Sequence, residues 1–206
     1  MQLSNQKIAG IILFVGAFGF ILAMQVSEFI DGASYNVANN YISDLGTYCT
    51  TTCVELPSHN LFDTSVFLVG LAIALGSYFL YRAFKNRIFS VLMILSGIGA
   101  MGVGLFPENF ATEHELFSFV VFFFGGLGAI AAYKIERKPL NYFSPIIGIF
   151  SIVMLVFFLV GNNLGMGVGG MERLVAYPEL LWGVGLGAHM IAWDSDTHYS
   201  VTSAPP

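Results

Sequence analysis

Six times along this chain a predominantly apolar run of about 20 residues recurs, long enough as an α-helix to cross the roughly 30 Å hydrocarbon core of a bilayer. The runs cover approximately Ile8–Val26, Leu61–Tyr81, Ile88–Phe106, Leu116–Tyr133, Tyr142–Leu164 and Leu174–Trp193. A soluble fold of 206 residues has too small an interior to hide them all: 56% of the residues are hydrophobic and 10% charged, against about 25% charged in an ordinary soluble domain. Inside hydrocarbon the backbone must satisfy its own hydrogen bonds, which leaves helices as the reading for runs of this length. The expected fold class is all-α, a polytopic transmembrane bundle of six helices forming one domain over residues 1–193. The 23 glycines, among them Gly97, Gly99, Gly102, Gly104, Gly183 and Gly187, are read as places where helix backbones approach closely.

Charge supplies an orientation. Lys7 precedes the first run, Arg82, Lys85 and Arg87 separate the second from the third, and Lys134, Arg137 and Lys138 separate the fourth from the fifth. Seven of the eight basic residues thus fall on one side, and the positive-inside rule places that side, with both termini, in the cytoplasm. The opposite side carries Glu28, Asp31, Asp44, Glu55, Asp63, Glu108, Glu113, Glu115 and Glu172, with Arg173 as its only cation. The expected location is the cell membrane. The first run is longer than the 7–15 residues typical of a signal-peptide core, so it is read as a span. A net charge of −5 without a basic patch excludes nucleic acid as a partner. Residues 194–206 are polar and expected to be a mobile cytoplasmic tail.

The long extracytoplasmic loop, residues 29–60, contains Cys49 and Cys53, the only cysteines. The pair reads as a local disulfide, as two free thiols or, with His59, as thiolate metal ligands. Residues Gly161 to Gly170 are glycine-rich but lack the Lys-Ser/Thr of a phosphate loop, so a tight turn at the membrane surface is expected. No internal repeat of the kind found in inverted-repeat transporters is visible.

Polar residues concentrate at the acidic side. They are Asn40, Ser43 and Asp44 in the first loop, His59 and Asp63 four apart at the head of the second run, Glu108 and His114 around the fourth, and Glu172 and Arg173 before the sixth. One reading is structural: such groups satisfy helix ends at the membrane boundary, and Asp44 and Glu172 pair with Arg173. The other is that carboxylates and an imidazole converge on a pocket able to move protons or hold a divalent metal. Glu179, seven residues beyond Glu172 and on the same helix face, either lines that pocket or bonds a neighbouring helix.

Three segments carry a resemblance: Asn40-Tyr41-Ile42-Ser43-Asp44-Leu45-Gly46, Phe106-Pro107-Glu108 with His114, and Gly169 through Trp182. Together they resemble the prokaryotic "domain of unknown function 998" membrane family, common in archaea, which implies a helical bundle with polar motifs on its outer side and brings no established activity. The short Tyr41 to Gly46 stretch is more distantly similar to a motif of the eukaryotic membrane proteins that include the GPI-anchor lipid-remodelling factor and autophagy modulators. Cys49, Cys53 and His59 do not belong to either pattern.

The functional expectation is an outward-facing pocket that binds or modifies a lipid or glycolipid head group. Asp44, Glu108 and His114 would be its catalytic members, with His114 as acid or base oriented by Asp44 or Glu108. Asn40, Ser43, Asp63, Glu172 and Arg173 would bind the ligand, Arg173 by holding a phosphate. The sequence names no cofactor and leaves the metal and the enzyme question open. The partners expected are membrane lipid and other membrane-protein subunits. The rivals are a non-catalytic accessory subunit of a larger membrane complex and, third, a small-solute carrier, which the lack of charges at mid-membrane depth in every span but the last disfavours.

Overall fold

The computed structural model describes residues 3–47 and 58–193. Cys49, Cys53 and the tail 194–206 lie outside the described residues, so the readings made of them are not addressed by it. Among the described residues every regular element is a helix: α1 Asn5–Asp31, α2 His59–Phe84, α3 Arg87–Leu105, α4 Ala111–Ala131, α5 Leu140–Leu159 and α6 Gly167–Ala192, with short 3-10 turns at Gly32–Ser34, Ser43–Gly46 and Ala132–Lys134. All six long helices are apolar enough to cross a membrane, which makes this a multi-pass membrane protein.

Local chemistry sets the helix ends. Ser4 caps α1 by accepting from the Lys7 N–H, and Asn86 caps α3 by accepting from the Phe89 N–H. Between α2 and α3 the chain reverses in two residues, with Lys85 in the left-handed region (φ 55°) ending α2. The glycine-rich segment departs from the sequence expectation in its boundaries. α5 ends at Leu159 rather than Leu164, and α6 starts at Gly167 rather than Leu174. Gly161 and Gly165 adopt positive φ there, and the Asn162 and Asn163 side chains accept backbone N–H groups at 3.1 Å. A tight turn forms, as read from the sequence, but it is shorter and its second half is already helix.

Each helix packs against its neighbours in sequence, α6 returns to α1, and α4 also touches α6, so the helices close into a ring. Two glycine pairs show how closely the backbones approach: a Cβ on Gly70 would lie 2.6 Å from the Gly97 carbonyl, and one on Gly187 would lie 2.9 Å from the Gly10 carbonyl. Apolar side chains cover the outside of the ring, including Val15, Leu68, Ile88, Phe143 and Ile146, where lipid would contact them.

Alternating helix directions gather seven of the eight basic residues at one end of the ring and most of the carboxylates at the other. The basic end is sealed by Leu80, Phe89, Met93, Trp182, Leu186 and Met190. Beside this plug, Trp182 Nε1 donates to Ser144 Oγ at 2.9 Å and Ser144 donates to Glu136, whose carboxyl is pushed up by burial. Toward the acidic end a second apolar cluster, including Phe20, Met24, Tyr35, Ile42, Leu45 and Phe62, supports the loop that carries the site.

Candidate functional site

The loop between α1 and α2 is folded around one guanidinium. Arg173, in the second turn of α6 and 6% exposed, points into it rather than out of the bundle. Its Nη1 donates to the carbonyls of Val37, Asn40 and Gly169 at 3.0, 3.3 and 3.0 Å. Its Nη2 donates to Glu28 Oε1 and to Tyr35 Oη, both at 2.6 Å. The Tyr35 hydroxyl passes its own hydrogen to the Tyr41 carbonyl at 2.8 Å. Glycine is required where α6 meets the loop: a Cβ on Gly169 would strike the Asn40 carbonyl, and one on Gly167 (φ +77°) the Ala38 carbonyl.

This clamp delivers Tyr41, Ile42, Ser43 and Asp44 to the acidic end of the ring. Asp44 Oδ2 accepts from Asn40 Nδ2 at 2.9 Å and from the Tyr41 N–H at 2.8 Å, closing a side-chain turn. Glu172 reaches across from α6 and accepts the Ile42 N–H. Glu108, in the connection between α3 and α4, hydrogen-bonds Asp44 and accepts from Thr47 Oγ1 at 3.4 Å. Burial, then the hydrogen bond and charge of Asp44, then the charge of Glu172 push the Glu108 carboxyl up to about 8. At neutral pH Glu108 therefore carries a proton and sits beside Asp44.

Two cavities meet beneath this loop. The mouth, of about 340 Å³, is lined by polar groups including Tyr41, Ser43, Glu108, His114, Ser118 and Glu172, with α5 supplying Leu155, Phe158 and Leu159. Two of its lining residues, Phe119 and Leu159, are 37% and 58% exposed and belong to the surface that lipid would cover. The inner chamber, of about 120 Å³, lies within the ring, with walls that are mostly apolar and include Phe20, Val66, Ala100 and Trp182. Ser43, His114, Ser118, Phe122 and Glu172 line both. His114 Nδ1 sits 2.9 Å from the Phe106 carbonyl, which can only accept, so Nδ1 holds a hydrogen and, in the neutral ring, Nε2 has the lone pair.

The residues singled out in the sequence are thus distributed unevenly. Ser43, Glu108, His114 and Glu172 share the mouth, and Asp44 joins them through Glu108. Asn40 holds Asp44 in place and lines neither cavity. Asp63 packs against Gly46, where an added Cβ would collide with its Oδ1, and also lines neither cavity. The ion pair expected between Arg173 and Asp44 or Glu172 does not form; Glu28 takes that place at 2.6 Å. Adjacent residues on a helix project about 100° apart, so Glu172 and Arg173 serve different elements. With both Nη atoms committed, Arg173 is occupied by the loop rather than presented as a phosphate ligand. Among the described residues no three His, Cys, Asp or Glu side chains group as a metal site.

Sequence reading passed over Glu28 and Tyr35 as partners of Arg173, since nothing local marks a contact across more than a hundred residues. It also passed over Ser118 and Phe122, which a four-residue step from His114 along α4 would have found.

Fold and site together define a multi-pass helical membrane protein with a carboxylate-rich cavity at one end of a closed ring. Residues 9–189 match the family described as "Protein of unknown function (DUF998)", and the chain belongs to that family. Comparison with curated proteins and with solved structures finds no match.

Proposed function

We propose that this protein lies in the cell membrane with both termini in the cytoplasm and that its mouth, facing the outer leaflet, binds or modifies a lipid or glycolipid head group. The observation that carries the reading is the continuity of a polar mouth with an apolar chamber: Ser43, His114 and Glu172 line both, as an amphiphile's head and chain would require. The orientation rests on the seven basic residues gathered at one end. No Lys or Arg lines either cavity, while Glu108, Glu172 and the hydroxyls of Tyr41 and Ser43 line the mouth. These groups suit a hydroxylated head, such as a sugar or polyol, better than a phosphate. In a modifying reaction the His114 Nε2 lone pair accepts a proton from a head-group hydroxyl or water, and the Glu108–Asp44 pair returns one.

The test is lipid analysis of protein purified in mild detergent, wild type beside His114→Ala and Asp44→Asn. The proposal expects a hydroxylated lipid that co-purifies with the wild type and is lost from both variants, while each still elutes as a single species. Equal lipid content in all three would remove the head-group reading and leave an accessory role in a larger complex.

A further inference from the structure

The inner chamber contains a carboxyl that the mouth does not use. Glu179 lies two turns beyond Glu172 on the same face of α6, about 10 Å further along the helix axis at 1.5 Å per residue. It lines the inner chamber, and its Oε2 lies over Gly125 of α4, where any Cβ would collide with it. Its Oε1 is buried and has no hydrogen-bond partner. The nearby Ser96 hydroxyl does not serve it, because that hydroxyl is donated to the Val121 carbonyl at 2.9 Å. No Lys or Arg lines the chamber to neutralise it. An acid among hydrocarbon walls without a partner is unfavourable and calls for a polar group from elsewhere.

We propose that Glu179 is a deep anchor for the lipid whose head occupies the mouth: it hydrogen-bonds the linkage between head and chain, and the chain fills the chamber down to the floor that Trp182 and Leu186 form. This deepens the head-group reading and rests on it. The ligand class is an amphiphile with an uncharged hydroxylated head and a hydrogen-bonding linkage about 10 Å beneath the head's outer edge, the spacing that two helical turns set between Glu172 and Glu179. Such a linkage is either the ester of a glycerolipid, whose carbonyl accepts from the O–H of the Glu179 carboxylic acid, or the amide and hydroxyl of a sphingoid lipid, which donate to its oxygens. A simple alkyl glycoside has a head and a chain but neither linkage. The absent side chain at Gly125 makes room for the carboxyl, and Pro178 leaves the Leu174 carbonyl without its helical partner beside the same stretch.

The experiment measures binding of dodecyl glucoside, monoglucosyl diacylglycerol and glucosylceramide to the full chain in detergent, by native mass spectrometry. The variants are Glu179→Leu, Glu179→Gln and Asp44→Asn. The wild type should prefer one of the linked lipids over dodecyl glucoside by at least about tenfold, and which one identifies the linkage. Glu179→Leu should abolish that preference, Glu179→Gln should retain most of it, and Asp44→Asn should weaken all three lipids alike. Because Oε1 has no hydrogen-bond partner within the protein, Glu179→Leu should also raise the thermal midpoint of delipidated protein. Equal binding of the three lipids by the wild type, or a lipid preference unchanged in Glu179→Leu, overturns the anchor while leaving the head-group reading intact. Failure of every lipid to bind overturns both. A lowered midpoint for Glu179→Leu would mark the acid as a structural member and overturn the anchor as well.

Discussion

At the scale of single residues, the site depends on one cation. Arg173 and Glu28 are 7% and 14% exposed at the side chain, so this is a buried ion pair in which each charge is tolerated because of the other. Removing one partner of such a pair costs about 3–5 kcal/mol, and here it also releases the carbonyls that fold the Tyr35 to Tyr41 segment. Arg173→Met is therefore expected to lower stability in a detergent unfolding titration by that order. Arg173→Lys should rescue little, because one ammonium cannot span the acceptors that two guanidinium nitrogens reach. Glu108 gives a pH signature. Its folded value of about 8 lies above the ordinary carboxyl value of 4.5, so the folded protein binds a proton that the unfolded chain releases. Its contribution is fully present below pH 4.5 and is lost as pH rises through 8. Thermal midpoints recorded across that window should fall with pH in the wild type and fall less steeply in Glu108→Gln, which keeps the protonated shape. An equal slope in both would show that Glu108 does not carry the proton.

At the scale of elements, the ring closes where α1 and α6 meet through small residues. A Cβ on Gly187 would lie 2.6 Å from the Phe14 nitrogen and 2.9 Å from the Gly10 carbonyl, both backbone atoms that have no rotamer to change. Gly187→Leu should therefore push the helices apart and destabilise the bundle by roughly 1–3 kcal/mol, as overpacking does elsewhere. Gly185 has no atom within 4 Å of its added Cβ, so Gly185→Leu is the matched control and should be near neutral. A thermal midpoint lowered by the first and not the second would confirm that contact, rather than helix propensity, makes glycine necessary at 187.

At the scale of the whole molecule, charge at the two ends predicts how the bundle sits. Tags placed at each terminus of the protein should be protected from protease in intact cells and cleaved after permeabilisation. Cleavage of both tags in intact cells would invert the proposed orientation and turn the mouth toward the cytoplasm. The apolar cluster at the basic end, where Trp182 and Leu186 meet Phe89 and Met93, gives the chamber a floor.

The number of helices, their order and the separation of basic from acidic ends were determined by the sequence alone, because hydrocarbon thickness fixes run length and each apolar run reports locally. The motif around Ser43 and Asp44, with Glu108, His114 and Glu172, was legible for a related reason: polar residues flanking apolar runs stand out from their surroundings. Helix ends in the glycine-rich segment were less legible, since Gly167 to Arg173 reads as a loop until the Ala38 and Asn40 carbonyls are seen packed against its glycines. Only the tertiary structure decided which polar residues face a cavity and which hold the scaffold. Asp63 and Arg173 looked like ligand-binding groups, yet one lies against Gly46 and the other is spent on Glu28, Tyr35 and three carbonyls. Glu179, an acid in the middle of a span, shared its helix face with Glu172 in the sequence, but that its Oε1 has no partner follows from how α3, α4 and α6 surround it. Hydropathy and charge act over a turn or two of helix, whereas a guanidinium or a carboxyl chooses its partner among groups that only folding brings within 3 Å.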